Sequence, residues 1–102
     1  MVLNPTSAKL MMGTKMTDFM IVSTFKPGTD MSKVMALVEE EKSAVETLKA
    51  AGRLGNIFLA VPQGKVFIEA LNTDQAGAEQ AVRELPMAVF WDLDVFALTG
   101  RA

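Results

Sequence analysis

Glu41 is the residue of this chain best placed to do chemistry. At roughly 100° per residue along a helix, Val34, Val38, Glu41, Val45 and Leu48 fall on one stripe. Glu41 therefore stands in the middle of an otherwise apolar face that must pack on something. An ionised carboxylate does not rest in a dry core without a partner. It must meet a cation, a cavity that admits water, or solvent at an edge. A cavity would raise its pKa and make it an acid or a base. Helix curvature, or an ion pair across a subunit interface, would satisfy it with no chemistry at all. Lys42 follows at the edge of the stripe, either as a charge partner or as a surface lysine. Glu39 and Glu40 read as a solvated pair.

Other residues give weaker signals. Glu69 is flanked by apolar residues and shares a strand face with Phe67 and Leu71, which makes it a second candidate inward carboxylate. Trp91 reads as core or cavity wall. Asp92 and Asp94 are two apart on a strand and so lie on one face. With no histidine and no third nearby carboxylate they make a poor metal site. The chain has no cysteine, histidine or tyrosine. Thiolate chemistry, Ser–His triads and Cys- or His-based metal sites are therefore excluded, and proton transfer falls to Asp, Glu, Lys or water. The glycines have no phosphate-loop spacing. The expectation is a site with no cofactor and no metal.

The elements that must position these residues emerge from pattern. Residues 18–25 alternate, with Phe19, Ile21, Ser23 and Phe25 on one face and Met20, Val22 and Thr24 on the other. Pro27-Gly28 breaks that strand, and Thr29 or Asp30 can cap a helix starting just after it. The spacing predicts one long helix over residues 31–51, ended by Gly52, with Met31 and Met35 (and later Met87) filling core gaps. Strands over residues 53–61 and 66–71, joined by the turn 62–65, form a hairpin. A second helix over residues 74–85 stops at Pro86. A final strand covers residues 91–98.

The order β-α-β-β-α-β predicts an α+β ferredoxin-like domain: a four-stranded antiparallel sheet with both helices on one face. Strands one to three carry apolar residues on both faces, so a second copy is the economical cover for the open face, giving a homodimer or a higher homo-oligomer. With 102 residues, 50 % of them hydrophobic, the chain makes one such domain, expected over residues 16–102. Residues 1–15 read as a flexible extension, or else as an arm that packs on a partner. The net charge of −2, with no basic block, argues against nucleic acid. No apolar run approaches the roughly 20 residues of a membrane span. No signal-peptide core is present, which makes the cytoplasm the default location.

Two segments resemble a known family. The run Glu40-Glu41-Lys42, through Leu48 to Gly52, resembles the corresponding helix of muconolactone isomerases. Leu85-Pro86-Met87, leading through Phe90-Trp91-Asp92 into the last strand, resembles that family's Leu-Pro-Leu run into an aromatic residue and an aspartate. Asp30-Met31 also matches the start of its first helix, and the resemblance covers roughly residues 18–98. It implies a dimeric α+β barrel and a cofactor-free reaction in which a double bond moves within a small lactone. By position, Glu41 would be the base and Lys42 a charge partner or enolate stabiliser. The family has a Trp and an Arg where this chain has Phe58 and Leu59, which implies a more apolar pocket and a less acidic substrate.

Three function classes are open. The first is an isomerase acting by proton transfer on an unsaturated lactone or related carbonyl compound, with Glu41 and Lys42 catalytic and Phe58, Glu69 and Trp91 around the substrate. The second is a cofactor-independent monooxygenase of the same fold, with Trp91 and Phe58 lining a pocket for an electron-rich aromatic. The third is a non-catalytic ligand-binding or assembly module. Fold alone does not choose among them.

Overall fold

The alternation over residues 18–25 produces a strand. A computed structural model describes residues 16–100, so the expected N-terminal extension, residues 1–15, lies outside the described residues. Strand β1 runs Thr17–Phe25, β2 Leu54–Ala60, β3 Lys65–Thr73 and β4 Trp91–Ala97. They form one open sheet in the order β2-β3-β1-β4, with every neighbouring pair antiparallel. The result is a small α+β domain compatible with the ferredoxin-like expectation. No described helix is long and apolar enough to cross a membrane.

The helix expected over residues 31–51 is divided into α1, Met31–Met35, and α2, Val38–Ala50. Asp30 caps α1, its carboxylate accepting from the Ser32 N–H at 3.0 Å and the Ser32 hydroxyl at 2.6 Å. The Leu37 N–H then bonds back only three residues, to the Val34 carbonyl at 2.9 Å. That tighter turn interrupts the α-helical ladder. It leaves Val34 buried and turns Met31 and Met35 outward, 51 % and 64 % exposed. In this single chain these two methionines do not fill the core; Met87 does pack against it.

Helix α3, Gln75–Arg83, starts at an Asp74 cap that accepts from the Gly77 N–H at 2.8 Å. It is shorter than its apolar stripe, and Pro86 does more than end it. Pro86 opens a short 3₁₀ helix, Pro86–Phe90, that leads directly into β4. A second 3₁₀ turn, Val61–Gln63, joins β2 to β3 and closes on Gly64, whose φ of 66° suits glycine. The core lies between the helices and one sheet face, around Ile21, Ile68, Leu48, Val82, Leu85 and Trp91.

Two bulges set which side chains reach that core. Leu54 pairs with Ala70 and Ile57 with Ile68, so Gly55 and Asn56 together oppose the single residue Glu69. Thr17 pairs with Thr73 and Phe19 with Ala70, so Leu71 and Asn72 together oppose Asp18. In each case the lone opposing residue is acidic. The Glu69 carboxylate accepts the Asn56 N–H at 2.8 Å, and the Asp18 carboxylate accepts the Asn72 N–H at 2.9 Å. Asn72 has a φ of 45°, the left-handed conformation that asparagine tolerates best after glycine.

The β2 bulge leaves no room for a side chain at residue 55. A Cβ on Gly55 would stand 2.7 Å from Glu69 Oε1 and 3.1 Å from Leu71 Cδ2. Gly55→Ala should therefore push Glu69 off its bond. Glu69→Ala removes the acceptor outright and should cost about 1 kcal/mol. Both variants should speed hydrogen exchange at the Asn56 amide. Unchanged exchange there would show that the carboxylate does not hold the bulge.

Candidate functional site

Two concavities flank the sheet. One, of about 460 Å³, lies between α2 and the sheet and is lined mostly by apolar side chains, among them Val45, Leu59, Val66, Leu85 and Trp91. The other, of about 840 Å³, lies on the open face and is lined by Asp18, Asn56, Phe58, Glu69 and residues 97–100. The larger one is the poorer candidate. Its two carboxylates are already engaged by the bulge amides.

Glu41 reaches the smaller cavity from α2, as its place on the stripe requires. It is half-buried, and its Oε1 accepts the Met87 N–H at 2.9 Å. The origin of that donor is local. Leu85, the residue before the 3₁₀ helix, offers no side-chain cap, and Pro86 at the first position has no N–H. The Met87 N–H is thus the first donor left without an intrahelical acceptor. A carboxylate from a different helix receives it. Among the described residues no protein donor bonds the second Glu41 oxygen. Burial pushes the Glu41 carboxyl above the usual glutamate value, and the Met87 N–H pulls down without cancelling that effect.

Lys42 is exposed and stands at the cavity rim, with Glu46 and Lys49 one and two turns further along the same helix. Trp91 forms part of the wall at 3 % exposure, its ring edge-on to Phe25 at 6.1 Å between centroids. The structure therefore brings Glu41, Lys42 and Trp91 to one cavity.

Phe58 and Glu69 are not brought there. Phe58 pairs with Phe67, and Glu69 pairs with Met20, all on the sheet face away from the helices. Counted from buried Leu54 by strict alternation, Phe58 would face the helices. The extra residue of the bulge reverses that parity and sends Ile57 and Leu59 inward instead. Glu69 is spent on the bulge. Asp92 and Asp94 are exposed, and among the described residues no group of three acids is placed to hold a metal.

Two further contributors leave only faint traces in the sequence. The Met87 N–H is detectable only as a proline at the first position of a short helix, and nothing at residues 84–86 marks residues 86–90 as helical rather than loop. Lys49 is readable as seven residues on from Lys42.

No protein-family model matches the chain, and no curated protein does.

The raised Glu41 pKa has a consequence for stability. The fold favours the protonated carboxyl, so the contribution of Glu41 is fully present below the unfolded-state value and is lost as pH rises through the higher folded value. Gln keeps an oxygen for the Met87 N–H and carries no charge. Glu41→Gln should therefore melt a few degrees higher than the parent at pH 7, and the two should converge near pH 4. A variant that melts lower at pH 7 would mean that the charge is compensated in the fold.

Proposed function

We propose that this chain is a small-molecule isomerase similar to muconolactone isomerases, moving a double bond in an unsaturated lactone or related carbonyl compound by proton transfer and without a cofactor. The observation that carries this reading is the Glu41 carboxylate: half-buried in an apolar cavity, raised in pKa, held by one N–H and, among the described residues, without a donor at its other oxygen. A base of that kind can remove a proton conjugated to a carbonyl and return it at another carbon. Lys42 at the rim supplies positive charge near the developing enolate. The cavity volume of about 460 Å³ suits a small ring compound.

The working unit in this reading is a cytoplasmic homodimer of ferredoxin-like α+β barrels. The open sheet face supports it. Phe58 (53 % exposed), Phe67, Val22, Met20 and Phe96 lie together there, and among the described residues no helix covers them. A second copy would bury that patch as an isologous interface. Phe58→Glu should then shift the protein from dimer to monomer in sedimentation equilibrium. A monomeric parent would remove the dimer from the proposal.

One observation favours a non-catalytic reading instead. Glu41 caps the Pro86–Phe90 helix, which is reason enough for a carboxylate to be there. Turnover separates the two. Protein in D₂O with muconolactone and a panel of butenolides should show deuterium exchange or double-bond migration by NMR. Glu41→Gln should lower the rate by about 100-fold or more. Binding with no exchange would favour the ligand-binding module. Exchange that survives the substitution would remove Glu41 as the base.

A further inference from the structure

β2 is an edge strand without a charge. Residues 54–64 contain no acid or base, and within them Phe58, Leu59 and Val61 are 53 %, 70 % and 76 % exposed. The sheet order leaves the outer side of β2 unpaired among the described residues. An exposed apolar edge with open N–H and C=O groups is a template for another strand, and proteins usually blunt it with charge, proline or a bulge. The opposite edge, β4, is blunted, because Asp92 and Asp94 stand exposed along it. The β2 bulge lies at the start of the strand, and residues 57–60 run on in unbroken register against β3. Nothing in that stretch discourages a further strand.

We propose that β2 pairs with β2 of a second copy, antiparallel and about a two-fold axis, so that two sheets continue as one. The axis keeps each side chain on its own face of the joined sheet. It sets Phe58 opposite its counterpart and Ile57 opposite the partner's Leu59. With no charge in either strand, self-pairing brings no like charges together, whereas β4 paired with itself would set acids against acids. The helix layer fits the same operator. Lys42, Glu46 and Lys49 alternate in sign along the α2 side of the cavity rim, all exposed, and none is in an ion pair among the described residues. Antiparallel α2 helices brought side by side offer Lys42 to the partner's Glu46, and Glu46 to the partner's Lys42. The cavity opens on this side, where Leu59 lines it and is yet largely exposed, so the second copy completes its wall. The completed wall matters to catalysis only under the isomerase reading; the pairing itself does not depend on it. This edge is a different surface from the open sheet face, with Phe58 alone common to both. Dimers formed through the open face are joined in pairs through β2 as concentration rises.

Phe96 lies on the open face of β4, at the far side of the sheet from β2. Phe96→Glu should break the open-face contact and spare the edge. The expected result is that this variant still dimerises in sedimentation equilibrium as its concentration rises, and that Leu59→Lys added to it gives a monomer. Alternate β2 amides point away from β3. They should be protected from hydrogen exchange in the Phe96→Glu dimer and lose that protection on dilution. A Phe96→Glu protein that stays monomeric up to its solubility limit would overturn the pairing, as would dimerisation with those amides unprotected. Protection that survives dilution would assign the edge to another segment of the same chain. Concentration-dependent protection of β4 as well as β2 would mean that β2 meets β4. Either result overturns self-pairing. The parent protein serves if a variant does not fold: fast exchange at the outward β2 amides at high concentration would overturn the proposal without any substitution. None of these outcomes bears on Glu41 as a base, which is read from substrate exchange alone.

Discussion

The site depends on one hydrogen bond, from the Met87 N–H to the Glu41 carboxylate. It joins α2 to the short helix that feeds β4, and each partner needs the other. Pro86 has no N–H, and Leu85 offers no cap, so the Met87 donor would be stranded at the start of its helix. Glu41 sits on an apolar stripe, so its carboxylate would be stranded in the wall of the core. The bond satisfies both at once. It also fixes the carboxylate against the cavity that Trp91 and the inner faces of β2 and β3 complete.

The other side of that cavity is set by the bulge at Gly55-Asn56. A regular β2 continued from Leu54 would turn Phe58 toward the helices and Ile57 and Leu59 away. The cavity would then have a bulky aromatic in its wall, and the open face would lose the aromatic row of Phe58 and Phe67. Glu69 holds the bulge from one residue of the neighbouring strand, and Asp18 does the same for the bulge at Leu71-Asn72. Glu69, which looks like a candidate acid in the sequence, is thus part of the sheet's geometry, as is Asp18. The Glu69 bond decides which β2 residues line the smaller cavity, although Glu69 does not touch it.

What is legible in the sequence, and what is not, divides along a physical line. Strand alternation, the β2–β3 hairpin, a cap for the first helix at Thr29 or Asp30, and the inward Glu41 are consequences of periodicity and short-range capping, so they can be read. The break at Ala36-Leu37 cannot: it is a single tightened turn inside an unbroken apolar stripe, with no glycine or proline to mark it. The placement of Phe58 fails for a similar reason, because one inserted residue reverses side-chain parity while leaving the strand's composition unchanged. Gly55 next to Asn56 is the trace available. Alternation puts Glu69 on one face with Phe67 and Leu71, but which face that is depends on the tertiary register. Spacing alone assigns Met31 and Met35 to the core, whereas the tightened turn faces them outward.

The number of donors on Glu41 bears on what it can do. A carboxylate that accepts two or three N–H bonds is pinned in its ionised form at low pKa and makes a feeble base. One with none, buried as deeply, would stay protonated and abstract nothing. Glu41 has one donor, and burial still outweighs it. The carboxyl is oriented by the bond on Oε1, while the second oxygen is left for a proton. A purely structural cap has no need of the apolar volume beside it, and a purely apolar cavity has no need of the carboxylate. The two occur together here. The proposed proton transfer rests on that coincidence: a carboxyl of raised pKa against a small apolar space.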